Sequence, residues 1–175
     1  FEGDFLVDTG ARSYMIISSP SVLLYDMADN IGNYYNVRAK IGSAQKRTKI
    51  RYGTLQSVQF AGHDFNHLPV ALSSDSKGVL SMSDIDGIIG NRLLMRFNVI
   101  FDYQHGLLHL EPNDQLEEPY QVNASGFNIS FKQGKPFIKN VVDQSPADKA
   151  GLRNGDEIIS INGKLVEAIL TDDIR

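Results

Sequence analysis

The chain has 175 residues, of which 42% are hydrophobic and 22% charged, and carries a net charge of −4, so it is long enough for one or two compact domains. That balance gives no reason to expect nucleic acid as a partner, and no apolar run approaches a membrane span. The absence of cysteine excludes disulfides and thiolate metal sites and leaves the compartment open.

In chain order, the first informative stretch is Phe5-Leu6-Val7-Asp8-Thr9-Gly10-Ala11, an apolar strand running into an acidic turn. A carboxylate where the interior begins is desolvated unless neighbouring donors satisfy it, which makes Asp8 a site candidate. The alternative is a loop aspartate closing a strand, because Asp, Thr and Gly are ordinary turn formers.

Two strand-like runs follow within Val37 to Tyr52 around Gly42-Ser43, and Thr54 to Phe60 continues to a turn expected at Gly62-His63-Asp64. Lys46, Arg47, Lys49 and Arg51 form a basic cluster that reads as a solvated face discouraging edge pairing. Further on, Ile85 to Tyr103 reads as a buried strand ending at Gly90, a short amphipathic helix and another strand. Asp86 reads as the end of the loop leading into Ile88-Ile89. His105 and His109 would share a helical face, but Tyr103 to Leu110 reads as two strand halves around Gly106, and His63 and His67 flank Asp64 in a turn region. No metal and no cofactor is expected from these spacings.

The two segments Phe5 to Ala11 and Ile85 to Tyr103 together resemble the aspartic peptidases of the retropepsin type, over most of residues 1 to 115. The resemblance implies a closed, barrel-like β lobe over residues 1 to 115 with Asp8 as catalytic carboxylate. Thr9, Gly10 and Ala11 would support the catalytic loop, and Ile88, Ile89 and Gly90 would form the supporting strand and pocket wall. A flap around Gly42 would close over an extended polypeptide substrate. Ala11 stands where pepsin-like enzymes carry a hydroxyl, which is expected to shift activity toward milder acidity. Only one Asp-Thr-Gly occurs and no Asp-Ser-Gly, so the second carboxylate is expected from a homodimer or from another lobe. The chain has no initiator methionine, opens at Phe1 within a strand hairpin and stops at Arg175 inside a second module, so it is expected to be a fragment, with a tandem upstream lobe favoured. The implied activity is that of an aspartic-type endopeptidase; the location stays open, with an extracytoplasmic one, periplasmic or at the cell surface, favoured. A catalytically idle scaffold is the alternative.

Between Glu111 and Tyr120 the composition turns polar and acidic between Pro112 and Pro119, a linker signature. Residues 116 to 175 are the expected second domain. Ser145-Pro146 opens a short helix that Gly151 ends, and Asn162-Gly163 suits a type I′ turn. Asn123-Ala124-Ser125 and Asn128-Ile129-Ser130 match glycosylation acceptors by chance. The stretch Ser145-Pro146-Ala147-Asp148-Lys149-Ala150-Gly151-Leu152 with Gly155-Asp156-Glu157-Ile158 resembles a PDZ domain of the bacterial, circularly permuted kind. The resemblance implies an α+β module, truncated before a second helix near Thr171, whose loop Gly126-Phe127-Asn128-Ile129 binds a peptide's C-terminal carboxylate. Asn128 stands there where a glycine is usual.

Overall fold

The computed structural model describes residues 1–39, 48–122, 125–143 and 145–166, which form two compact units, Phe1–Val122 and Asn123–Arg175. The chain is mainly β with a few short helices.

In the first unit, β1 (Phe5–Asp8) and β2 (Met15–Ile17) precede two short helices, α1 (Ser19–Leu24) and α2 (Met27–Asn30). Ser18 starts α1 as N-cap: its hydroxyl accepts from the Ser21 amide, and Pro20 occupies the first turn, where its missing N–H costs nothing. Strands β3 (Gly32–Ala39), β4 (Thr48–Phe60), β5 (His63–Leu72) and β6 (Gly87–Gly90) follow. These six strands lie in the order β1-β6-β2-β5-β4-β3. Among the described residues β1 and β3 are the two edges of this sheet, so it is open, and the expected closed barrel is not formed.

The central strands are covered on both faces, which explains their unbroken apolar runs. Met15, Ile17, Val70, Leu72 and Ile89 point into one cluster, with Leu93, Leu94 and Phe97. Their alternates Ile16, Ala71 and Ile88 point into the other, with Ile50 and Leu80. Period-two alternation thus feeds two cores from one sheet.

The turn between β4 and β5 falls at Ala61-Gly62, both at positive φ, with Phe60 paired to His63. It lies earlier than the Gly62-His63-Asp64 turn expected, because two consecutive left-handed residues close a two-residue hairpin. His63, Asp64 and His67 consequently belong to β5. The Gly42 turn and the Lys46 and Arg47 part of the basic cluster lie outside the described residues.

After β6 come α3 (Asn91–Leu94) and the hairpin of β7 (Phe97–Asp102) with β8 (Leu107–Pro112). This is the strand, short helix and strand expected from Ile85 to Tyr103. The proline-bracketed stretch after β8 packs on the first unit instead of running free. Arg96, only 5% exposed, donates to the carbonyl oxygens of Gln115 (3.1 Å), Leu116 and Glu118 (2.6 Å), and its guanidinium lies 4.8 Å from the Tyr120 ring centroid. The Gln121 amide donates to the Tyr14 hydroxyl at 2.8 Å. Burial pushes the Tyr120 phenol up, while the Arg96 charge opposes that shift.

The second unit opens with the hairpin β9 (Asn128–Lys132) and β10 (Lys135–Lys139), closed by Gln133-Gly134 at positive φ. Helix α4 (Pro146–Lys149) starts at Ser145, whose hydroxyl accepts from the Asp148 amide at 3.2 Å. The short pair β11 (Ser160–Ile161) and β12 (Lys164–Leu165) turns at Asn162-Gly163, both at positive φ as expected. Ile138, Val142, Ala147 and Val166 are its buried apolar residues among those described. The second helix expected near Thr171 lies outside the described residues.

Candidate functional site

Strands β1 and β6 pair in parallel with Leu6 opposite Ile88, Val7 opposite Ile89 and Asp8 opposite Gly90, so the two sequence motifs do meet. Asp8 is half-buried. Its Oδ1 accepts from the amides of Gly10 at 2.8 Å and Ala11 at 3.1 Å, and its main-chain carbonyl also accepts from Ala11 at 3.3 Å, so Asp8 closes the turn. Thr9 and Gly10 are exposed and Ala11 is half-buried against the Ile16 cluster. The loop is laced to the β6–α3 junction: Asn91 donates to the Ala11 carbonyl at 2.8 Å, Gly90 to Tyr14 at 3.0 Å and Arg92 to Ser13 at 3.1 Å. Ile88 and Ile89, expected as a pocket wall, are buried in the two cores at 5% and 2% exposure.

Asp86 works at the other end of the same pairing. Its carboxylate accepts from the Asp4 amide at 2.9 Å and the Ser21 hydroxyl at 2.6 Å, and Ser21 in turn contacts the Ser18 hydroxyl at 2.9 Å. Four residues of parallel strand separate it from the level of Asp8, roughly 13 Å at the usual rise. Asp86 and Asp8 therefore do not form a proton-sharing pair.

The histidines also separate. His105 lies in the β7–β8 turn, where its Nδ1 meets the Asp102 carboxylate at 2.7 Å, and His109 lies in β8. That contact, then the His105 amide, holds the Asp102 carboxyl below the usual carboxylate range.

In the second unit the candidate loop precedes β9. The Val142 amide donates to the Gly126 carbonyl at 2.8 Å and the Ala147 amide to Ser125 at 3.0 Å, tying the loop to the start of α4. Gly126 is buried at φ +80°, and a Cβ there would collide with the Ser145 side chain, so only glycine fits. Phe127 is half-buried, Asn128 is exposed, and Ile129 is 46% exposed. Strand β10 receives a bridge from Glu157 at Phe137 on its far side, which leaves β9 as the edge strand among the described residues.

Two residues that matter in these arrangements escaped the sequence reading. Arg96 sits in an apolar context, Leu-Met-Arg-Phe, and its partners are main-chain carbonyls that no sequence pattern announces. Lys132 gains its meaning only from cross-strand register, although the Gln133-Gly134 turn beside it was a usable signal.

The family model of the PDZ domain matches residues 137–175. The match begins after the candidate loop, so Gly126, Phe127, Asn128 and Ile129 lie outside it. The chain is similar to "Serine protease Do-like HtrB" of Bacillus subtilis, 42% identical over 62 residues, which is 35% of this chain and 13% of that protein. It is also similar to "Carboxy-terminal processing protease CtpB" of the same organism, 40% identical over 52 residues, 30% of this chain and 10% of that protein. The matched stretches thus span only about a tenth of these curated relatives. Neither relative is an aspartic-type peptidase, and this overturns the expectation of an aspartic-type endopeptidase built on Asp8. The geometry gives the physical reason: the Asp8 carboxylate is an acceptor closing its own turn, and Asp86 is committed elsewhere. What the comparisons do place in this chain is a PDZ domain over residues 137–175, with similarity to PDZ-bearing protease relatives.

Proposed function

We propose that the chain is a peptide-binding scaffold, in which the second unit captures the C-terminus of an extended polypeptide along β9. The observation that carries this is the PDZ-domain match over residues 137–175, next to an edge strand that follows a loop tied to α4. An edge strand offers main-chain donors and acceptors to an added strand, and side-chain pockets on alternate positions supply preference. Ile129 and Phe131, 46% and 60% exposed, share a face with buried Ile138 and Pro136, which supports an apolar shelf for ligand side chains. Gly126, Phe127, Asn128 and Ile129 are the segment proposed to receive the carboxylate.

The first unit, in this reading, is a retropepsin-like lobe that serves as scaffold without catalysis. The parallel register of Asp8 with Gly90 and the turn closed by Asp8 support that likeness of fold.

The test is amide chemical-shift mapping on the full chain with an eight-residue peptide ending in an apolar residue with a free carboxylate. Shifts concentrated in residues 126–132 support the reading. No shifts, or shifts centred on residues 5–11, contradict it.

A further inference from the structure

Strand β9 alternates two chemically different faces. Ile129 and Phe131 lie on the apolar one; Asn128, Ser130 and Lys132 lie on the other, opposite Lys139, Phe137 and Lys135 of β10. Lys132 and Lys135 are direct cross-strand neighbours, a like-charge pair that opposes the hairpin unless an acid relieves it. Lys135 has that relief, since its Nζ lies 2.8 Å from Glu157 Oε1 on the far side of β10. Lys132 has none: among the described residues it forms no ion pair, and it is exposed at the open edge. The row therefore reads acid, base, base, and among the described residues no further strand follows it beyond β9.

We infer that Lys132 is a specificity-determining residue, selecting peptides that carry an acidic side chain shortly upstream of their C-terminus. The inference rests on the peptide-binding reading above. A carboxylate held before Asn128 forces the ligand to run antiparallel to β9, with its upstream residues toward Lys132. With the terminal apolar side chain on the Ile129 and Phe131 face, at the level of Ile129, equal rise per residue puts the ligand residue three positions before the terminal one opposite Lys132. Directly opposed residues of antiparallel strands share a face, so an Asp or Glu there extends the alternation that Glu157 begins. An exposed edge lysine also has a simpler use, keeping the edge from pairing with anything, and the experiment separates the two.

The full chain is titrated with eight-residue peptides that end in one apolar residue and carry a single Glu, Gln or Lys at the fourth position from the end. The expected result is tighter binding with Glu than with Lys by roughly five-fold, the scale of an exposed pair, narrowing at high salt. Lys132→Ala abolishes the preference, and Lys132→Glu inverts it while the amide spectrum stays that of the folded chain. Binding that requires the free carboxylate but ignores the charge overturns this inference alone. Failure of every peptide to bind overturns the peptide-binding reading and this inference with it.

Discussion

Gly90 lies so close to Ser13 that a Cβ at position 90 would collide with the Ser13 carbonyl oxygen and stand 2.5 Å from its hydroxyl. The contact lets β6 pass beside the Asp8 loop while the Gly90 amide donates to Tyr14 and the Arg92 amide to Ser13. Gly90→Ala is expected to destabilise the first unit by about 3 kcal/mol, since backbone and not a flexible side chain must yield. Urea unfolding of the full chain, followed by a probe in the first unit, measures it; a loss within about 0.5 kcal/mol, as for surface changes, would contradict the close approach.

Asp8 closes its turn as an acceptor, so its substitutions should sort by hydrogen bonding rather than by charge. Asp8→Asn keeps an oxygen for the Gly10 and Ala11 amides and is expected to cost little, whereas Asp8→Ala leaves both without that partner and costs about 1 kcal/mol. The chain is also expected not to cleave an unstructured protein, with or without Asp8. Thermal unfolding of both variants and a casein-type cleavage assay are the measurements. Cleavage that disappears in Asp8→Asn would refute the scaffold reading.

Arg96 clamps the segment 115–118 through three main-chain carbonyls. Arg96→Ala is expected to free that segment and cost roughly 2–3 kcal/mol, and Arg96→Lys to recover only part of it because a single ammonium cannot replace the guanidinium fork. Hydrogen exchange of residues 115–121 should speed up in both variants. Unchanged exchange in Arg96→Ala would show that the clamp does not hold the segment.

These three relationships were legible in the sequence to different degrees. The strand, helix and strand around Gly90 stood out because an unbroken apolar run and a glycine at a crowded crossing leave marks in residue type. The Ser145 cap, the Gly151 stop and the Asn162-Gly163 turn were readable for the same reason, each being a local choice of backbone conformation. The Arg96 clamp was not readable: its partners are carbonyl oxygens that every residue has, so Gln115 to Glu118 kept the composition of a linker. Residue types alone do not separate the two uses of Asp-Thr-Gly-Ala, which serves a turn as well as a catalytic loop. The charge row at Lys132 depends on register across a hairpin, which residue order alone does not fix.

The Asp102 carboxyl is held low first by the His105 side chain and then by the His105 amide. A carboxyl lowered on folding contributes stability that is present above its ordinary value and is lost as pH falls through the folded value. His105→Ala removes the larger cause, so the Asp102 titration should move up toward the ordinary carboxylate range. A carbon-detected NMR titration of Asp102 in both forms reads this directly. An unmoved midpoint would mean that the side-chain contact does not set it.

The most direct test of the central claim is isothermal titration of the full chain with two peptides identical except at the C-terminus, one a free carboxylate and one an amide. The account predicts saturable one-to-one binding of the carboxylate peptide and at least about ten-fold weaker binding of the amide, equivalent to about 1.4 kcal/mol. Equal affinity for the two, or no binding of either, would contradict a C-terminal peptide site in the second unit.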